Sequence, residues 1–122
     1  MKITYAVNLE DKLVRLSSMI DWNLLETSYQ SHFQQASAPD PRLLFGLLYI
    51  QAKENISNEE LMVRWEKSPE WQYFCGEKEL RSDFPLHPSQ LSIWLREIGP
   101  TGCQLMRAAL APSLPPIPDT LH

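Results

Sequence analysis

Three side chains are of types that bind transition metals: Cys75, His87 and Cys103. Their separations of 12 and 16 residues lack the short paired spacings of a zinc site, and a fourth ligand at such spacing is missing. The plainer reading is two reduced thiols packed as small hydrophobes and a surface imidazole, with no metal and no cofactor. Carboxylates are more plentiful: Glu59 with Glu60, Glu77 with Glu79, and Asp83. Acid pairs do the work in glycosidases and two-metal nucleases, but only when they converge in a cleft. Glu60 has a structural use in a helix capping box, and Glu77, Glu79 and Asp83 interleave with Lys78 and Arg81 as on a solvated loop. The sequence has no phosphate-binding glycine loop, no Gly-x-Ser-x-Gly and no Cys-x-x-Cys. No residue is assigned a catalytic role.

The remaining chemistry is recognition. Ser89, Gln90, Ser92 and Arg96 fall on the polar face of a helical stretch at residues 88–98. Serine and glutamine can read base edges or hold phosphates, and Arg96 is the cation on that face. Arg81 and Arg107 are the candidate phosphate partners to either side. Residues 78–110 carry four basic and three acidic side chains, whereas residues 1–77 have a net charge of −4. That asymmetry favours DNA at the C-terminal end but is small, so phosphate neutralisation is limited. Of the four tryptophans, Trp65, Trp71 and Trp94 lie on apolar faces and are assigned to the core, each indole N–H reaching a partner or water.

The elements that position these side chains follow from apolar spacing and capping residues. Leu9, Leu13, Leu16 and Ile20 predict a first helix from Leu9 to Met19. Asp21 caps a second, which runs to about Phe33, with Ile20 and Leu25 as a hydrophobic staple. Asp40-Pro41 opens a third helix, whose leucine-rich face at Leu43, Leu44, Leu47 and Leu48 places it at the centre of the core and which stops at Asn55. Ser57-Asn58-Glu59-Glu60 is a capping box for a fourth helix burying Leu61, Met62 and Trp65. Ser68-Pro69-Glu70 opens a short fifth, ended by Gly76, and residues 77–86 read as a loop. Leu91, Trp94, Leu95 and Ile98 give a buried face to a helix from Pro88, with Gly99-Pro100 as its stop and a last helix from Thr101 to Leu110. The expected fold is all-α: a compact, helix-turn-helix-like bundle of five to seven short helices. The domain spans residues 1–110, and residues 111–122, with Pro112, Pro115, Pro116 and Pro118, form an extended tail.

Composition agrees with a single globular unit. The chain has 122 residues, 43% hydrophobic and 21% charged, enough for one core. A net charge of −4 excludes a strongly cationic polyanion binder. Two cysteines are too few for a disulfide framework and suit a cytoplasmic chain. No apolar run is long enough to span a membrane, and the first residues lack the apolar region of a secretory signal.

Several blocks together are distinctive: Leu44-Phe-Gly-Leu-Leu-Tyr-Ile50, Ile56-Ser-Asn-Glu-Glu-Leu61, and Val63-Arg-Trp-Glu-Lys-Ser-Pro-Glu-Trp-Gln-Tyr-Phe-Cys-Gly-Glu77. Phe84-Pro-Leu-His-Pro-Ser-Gln-Leu91, with Trp94 and Ile98-Gly99, continues the series. Over residues 9–104 the chain resembles the N-terminal domain of InsH-like bacterial insertion-sequence transposases. That resemblance implies a helical module which helps bind the transposon's terminal repeats and supports assembly. It implies a position ahead of an RNase H-like catalytic domain carrying an Asp-Asp-Glu metal triad. None of the triad maps onto this sequence, so the chain is expected to be a truncated transposase and not itself an enzyme. Where the family carries a run of Arg and Lys around the tryptophan of the 88–98 helix, this chain has Ile93, Leu95 and Glu97, with Arg96 alone basic. The proline-rich tail also departs from the family. The competing expectation is a protein-interaction module, forming a homodimer or docking on a full-length transposase and inhibiting it, or a remnant without function.

Overall fold

Side-chain caps set where the helices begin. In the computed structural model, which describes residues 1–32 and 39–109, the Asp11 carboxylate accepts from the Leu13 and Val14 amides and opens α1 at Lys12–Ser17. The first helix therefore starts one turn later than apolar spacing alone predicts. Leu9 is left outside it, 68% exposed. Asp21 accepts from Leu24 N–H and starts α2, Trp22–His32, with Ile20 and Leu25 both buried as the staple requires. Phe33, the expected end of α2, lies outside the described residues. Asp40 caps α3, Pro41–Glu54, with proline at its first position, and Asn55 ends it in the left-handed region at φ 54°.

Ser57 caps α4, Asn58–Lys67, through the Glu60 amide, while the Glu60 carboxylate lies 4.0 Å from Arg64 one turn on. Leu61 and Trp65 are buried as expected, and Met62 only half so. Ser68 then caps α5, Pro69–Phe74, and Gly76, at φ 94°, turns the chain away.

The last helix overturns an expectation. Gly99-Pro100 does not end it: α6 runs unbroken from Pro88 to Ala109. A proline inside a helix removes one backbone hydrogen bond and restricts its predecessor, chiefly through clash with that residue's Cβ. Here the predecessor is glycine. Beyond its chain neighbours and its own helix backbone, a Cβ at Gly99 would meet nothing within 4 Å, so no other element crowds the helix at that position. Leu110 and the tail at 111–122 lie outside the described residues.

The described residues fold as an all-α bundle of six helices. Every residue of α3 from Leu43 to Ile50 is buried, so this helix is enclosed on all sides by α2, α4, α5 and α6. The enclosure is tight at Gly46, where a Cβ would lie 2.8 Å from Cys75 Sγ and 3.1 Å from Cys75 Cα. Alanine in place of a mid-helix glycine normally stabilises by about 0.5–1 kcal/mol. At this crossing overpacking reverses the sign: Gly46→Ala is expected to cost about 1–3 kcal/mol. Urea unfolding of Gly46→Ala and of Gly46→Ala/Cys75→Ala checks it. The double variant recovers only part of the loss, because the Cys75 backbone stays in place.

The N-terminus is tied to the loop before α6. Ile3 N–H donates to Lys78 O at 3.0 Å and Leu80 N–H donates to Met1 O at 3.0 Å, around an antiparallel bridge between Lys2 and Glu79. Ile3, 1% exposed, plugs the bundle beside α5. The same loop contributes Phe84, which packs edge-on against Trp65 with ring centroids 5.2 Å apart.

Candidate nucleic-acid interface

The exposed face of α6 begins with its cap. His87 Nδ1 accepts from Ser89 N–H at 3.2 Å and lies 2.8 Å from the Ser89 hydroxyl, while Gln90 Oε1 accepts from His87 N–H at 3.2 Å. With Pro88 at the first helical position, this is a capping box in which imidazole takes the usual place of serine. Ser89 and Gln90 are exposed, yet both side chains are engaged at the helix N-terminus. Ser92, also exposed, accepts from Asn58 Nδ2 at 3.0 Å, and Asn58 Oδ1 accepts from Gln51 Nε2 at 2.6 Å. The three residues form a polar line across α3, α4 and α6.

Arg96 differs from them. It is exposed one turn beyond Ser92, and no carboxylate among the described residues lies within salt-bridge distance of it. Ile93, 47% exposed, sits between Ser89 and Arg96 on the same helical surface. Arg81 does not join this face as an available cation. Its guanidinium is 3.8 Å from Glu77 and 3.7 Å from Asp83, and its backbone N–H and C=O are both held by Gln72. Arg107 lies in the last turns of α6, and its side chain is outside the described residues. The structure thus gathers Ser89, Gln90, Ser92 and Arg96 on one helix face. On that face Arg96 and its exposed neighbour Glu97 both have charged groups outside salt-bridge distance of any partner among the described residues.

The other chemically able groups are built into the core. Cys75 is buried, and burial pushes its thiol up to about 12, against the smaller pull of the Trp65 indole and Arg42. Among the described residues no three of His, Cys, Asp and Glu gather as metal ligands, and the Cys103 side chain lies outside them. Trp71 and Trp94 are buried as expected. Trp65 is fully buried too, and its indole N–H has no partner of hydrogen-bond geometry among the described residues. It is packed close enough to the Cys75 sulfur to favour the thiolate.

Two polar residues escaped the sequence reading. Gln72 is fully buried, and Arg42 reaches from α3 to the end of α5. There Arg42 donates through Nε to Phe74 O and through an Nη to Tyr73 O, both at 3.2 Å, with its guanidinium 4.5 Å above the Trp22 ring. Burial lowers the Arg42 pKa, which the neighbouring Cys75, Tyr73, Asp40 and Glu26 offset in part. The available signal for Gln72 was position: it lies seven residues after Trp65, within a short helix otherwise rich in aromatic residues.

The helical bundle and the blocks at residues 44–50 and 63–77 have a counterpart among known families. The family described as Transposase domain (DUF772) matches residues 2–97. The chain belongs to that family. A relative of this chain in sequence is the protein described as "Uncharacterized protein ORF8 in nfe locus" from Rhizobium meliloti. It is 31% identical over 111 residues, which cover 88% of this chain and 54% of the relative. The chain thus spans about half the length of that curated relative. No solved structure matches this DUF772 domain. Among its described residues, no helix is long and apolar enough to cross a membrane.

Proposed function

We propose that this DUF772 domain is the helical DNA-binding and assembly module of an insertion-sequence transposase, contacting the transposon's terminal repeats through the exposed face of α6. The single observation that carries the reading is the match of the transposase family across residues 2–97. The stretch of α6 that resembles the InsH-like N-terminal domain also supports it, because it presents an exposed arginine beside three polar side chains. In this reading Arg96 contacts a phosphate or a guanine edge. Ser89, Gln90 and Ser92 hold the helix in register and offer their remaining valences to the DNA. Phosphodiester chemistry belongs to an acidic-triad domain outside this sequence.

The test is an electrophoretic shift with a duplex carrying a terminal repeat at low salt. Wild type retards the duplex, and Arg96→Glu weakens it by more than about tenfold, since a bidentate arginine contact is worth about 1–3 kcal/mol and the variant adds repulsion. Absence of any shift for wild type at low salt overturns the proposal.

A second reading has its own observation. Ile93 stands exposed in the middle of the same face, and the chain carries a net charge of −4. Both suit a protein partner, a second copy or a full-length transposase. Ile93→Glu then abolishes association measured by light scattering or pull-down while leaving the melting temperature unchanged, and a wild-type chain that is monomeric and captures no transposase counts against it.

A further inference from the structure

A cavity of about 530 Å³ opens where the N-terminal segment crosses the turn after α5, with Lys2, Arg42, Lys78, Glu77 and Glu79 in its wall. Its charge runs against that of the whole chain. Three of its five charged side chains are cationic, on a polypeptide of net charge −4. Both acids already lie near cations outside that trio. Glu77 is 3.8 Å from Arg81, and Glu79 is 3.6 Å from the Met1 amine. Lys2 stands opposite Glu79 in the antiparallel bridge, yet among the described residues neither it nor Lys78 nor Arg42 is within 4.0 Å of a carboxylate oxygen. The nearby Asp40 carboxylate is occupied by the amides at the start of α3, and Glu26, on α2, acts on Arg42 electrostatically without lying within 4.0 Å of it.

The backbone has already fixed the arginine. Gly76, at φ 94°, comes so close that a Cβ there would lie 2.9 Å from Arg42 Cδ. The carbonyls of Tyr73 and Phe74 hold Nε and one Nη. The second Nη makes no hydrogen bond to the described residues. A half-buried, oriented guanidinium with spare donors, in the same wall as two lysines without a carboxylate partner among the described residues, suits a tetrahedral oxyanion.

We infer that this cavity binds a phosphate group, gripped by Arg42, Lys2 and Lys78. The space exceeds one phosphate ion, so the group is carried on a larger molecule, either a nucleic-acid backbone or a soluble polyphosphate. This inference does not depend on the α6 interface, which lies on a different helix.

The probe is inorganic pyrophosphate, followed by Trp22 fluorescence in the full chain, because the Arg42 guanidinium lies over that ring. Wild type gives a saturable change. Lys2→Gln/Lys78→Gln, both at exposed side chains, weakens it by at least about tenfold, and Lys53→Gln/Lys67→Gln, which removes equal charge elsewhere, leaves it within about twofold. A melting curve confirms that both variants fold. No saturable change with wild type, or equal weakening in the two variants, overturns the inference. A short duplex that displaces pyrophosphate from Arg96→Glu protein identifies the source as nucleic-acid backbone. Retention of pyrophosphate against the duplex identifies a soluble polyphosphate.

Discussion

Trp65→Ala destabilises the domain by about 3–5 kcal/mol, the range for losing a large buried aromatic side chain. For a domain of this size that lowers the melting temperature by roughly 10–20 °C. Trp65 is 0% exposed and packs against Phe84 of the loop before α6, so the void opens between α4 and that loop. Trp65→Phe is the informative companion. It leaves a smaller void and also deletes an N–H buried without a hydrogen-bond partner among the described residues, so its cost is well below that of alanine. Thermal denaturation followed by far-UV circular dichroism orders the three proteins. Equal melting temperatures for wild type and Trp65→Ala would remove this tryptophan from the core.

The same corner gives stability an alkaline limit. Burial raises the Cys75 thiol from its ordinary value of 9.0 to about 12, and Tyr49 is raised by burial as well. A folded-state pKa above the unfolded one means that the native state holds its proton longer. The corresponding stability is complete below pH 9.0 and is lost as pH rises towards about 12. Cys75→Ala flattens that loss, which denaturant midpoints measured through this window detect.

Gln72→Leu is the second large effect, at about 2–4 kcal/mol. The Gln72 amide accepts from Arg81 N–H at 2.8 Å and donates to Arg81 O at 3.0 Å and to Trp65 O at 3.2 Å. Leucine fills the same volume but orphans the Arg81 backbone, and each buried group so abandoned costs about 1–3 kcal/mol. Gln72→Glu is no rescue, since it removes the donors and places a charge at a site that is 0% exposed. The loss is local first. Tryptic cleavage after Lys78 or Arg81 accelerates under native conditions, because this loop hangs from Gln72, from Glu66 through Phe84 N–H, and from the N-terminal segment. Unchanged cleavage would show that the loop is held by other means.

The legible parts of the fold were those written in local chemistry. Asp21, Asp40, Ser57 and Ser68 each cap the helix that the sequence assigns to them, and Asn55 and Gly76 adopt the left-handed geometry suited to a stop. The continuous burial of residues 43–50 follows from apolar density. Gly99-Pro100 misled because a stop signal states only what a helix end tolerates. A helix anchored by four buried side chains, Leu91, Trp94, Leu95 and Ile98, can continue through a glycine–proline pair. The candidate interface was legible in placement and illegible in commitment. Spacing put Ser89, Gln90, Ser92 and Arg96 on one face, but the partners of the first three come from a histidine cap and from Asn58, 34 residues away. Arg81 was obscured similarly, since its neutralising acids and its clasp by Gln72 depend on the turn geometry after α5. Gln72 drew no assignment, because its burial depends on the loop that closes over it.

The pairing of Lys2 with Glu79 also fixes an order of events during synthesis. Domains form as the ribosome delivers them, beginning from the end made first, but here Lys2 and Ile3 find their seat only after Lys78 and Glu79 have emerged. Until then Ile3 stays in water, and the nascent bundle is an unplugged vessel.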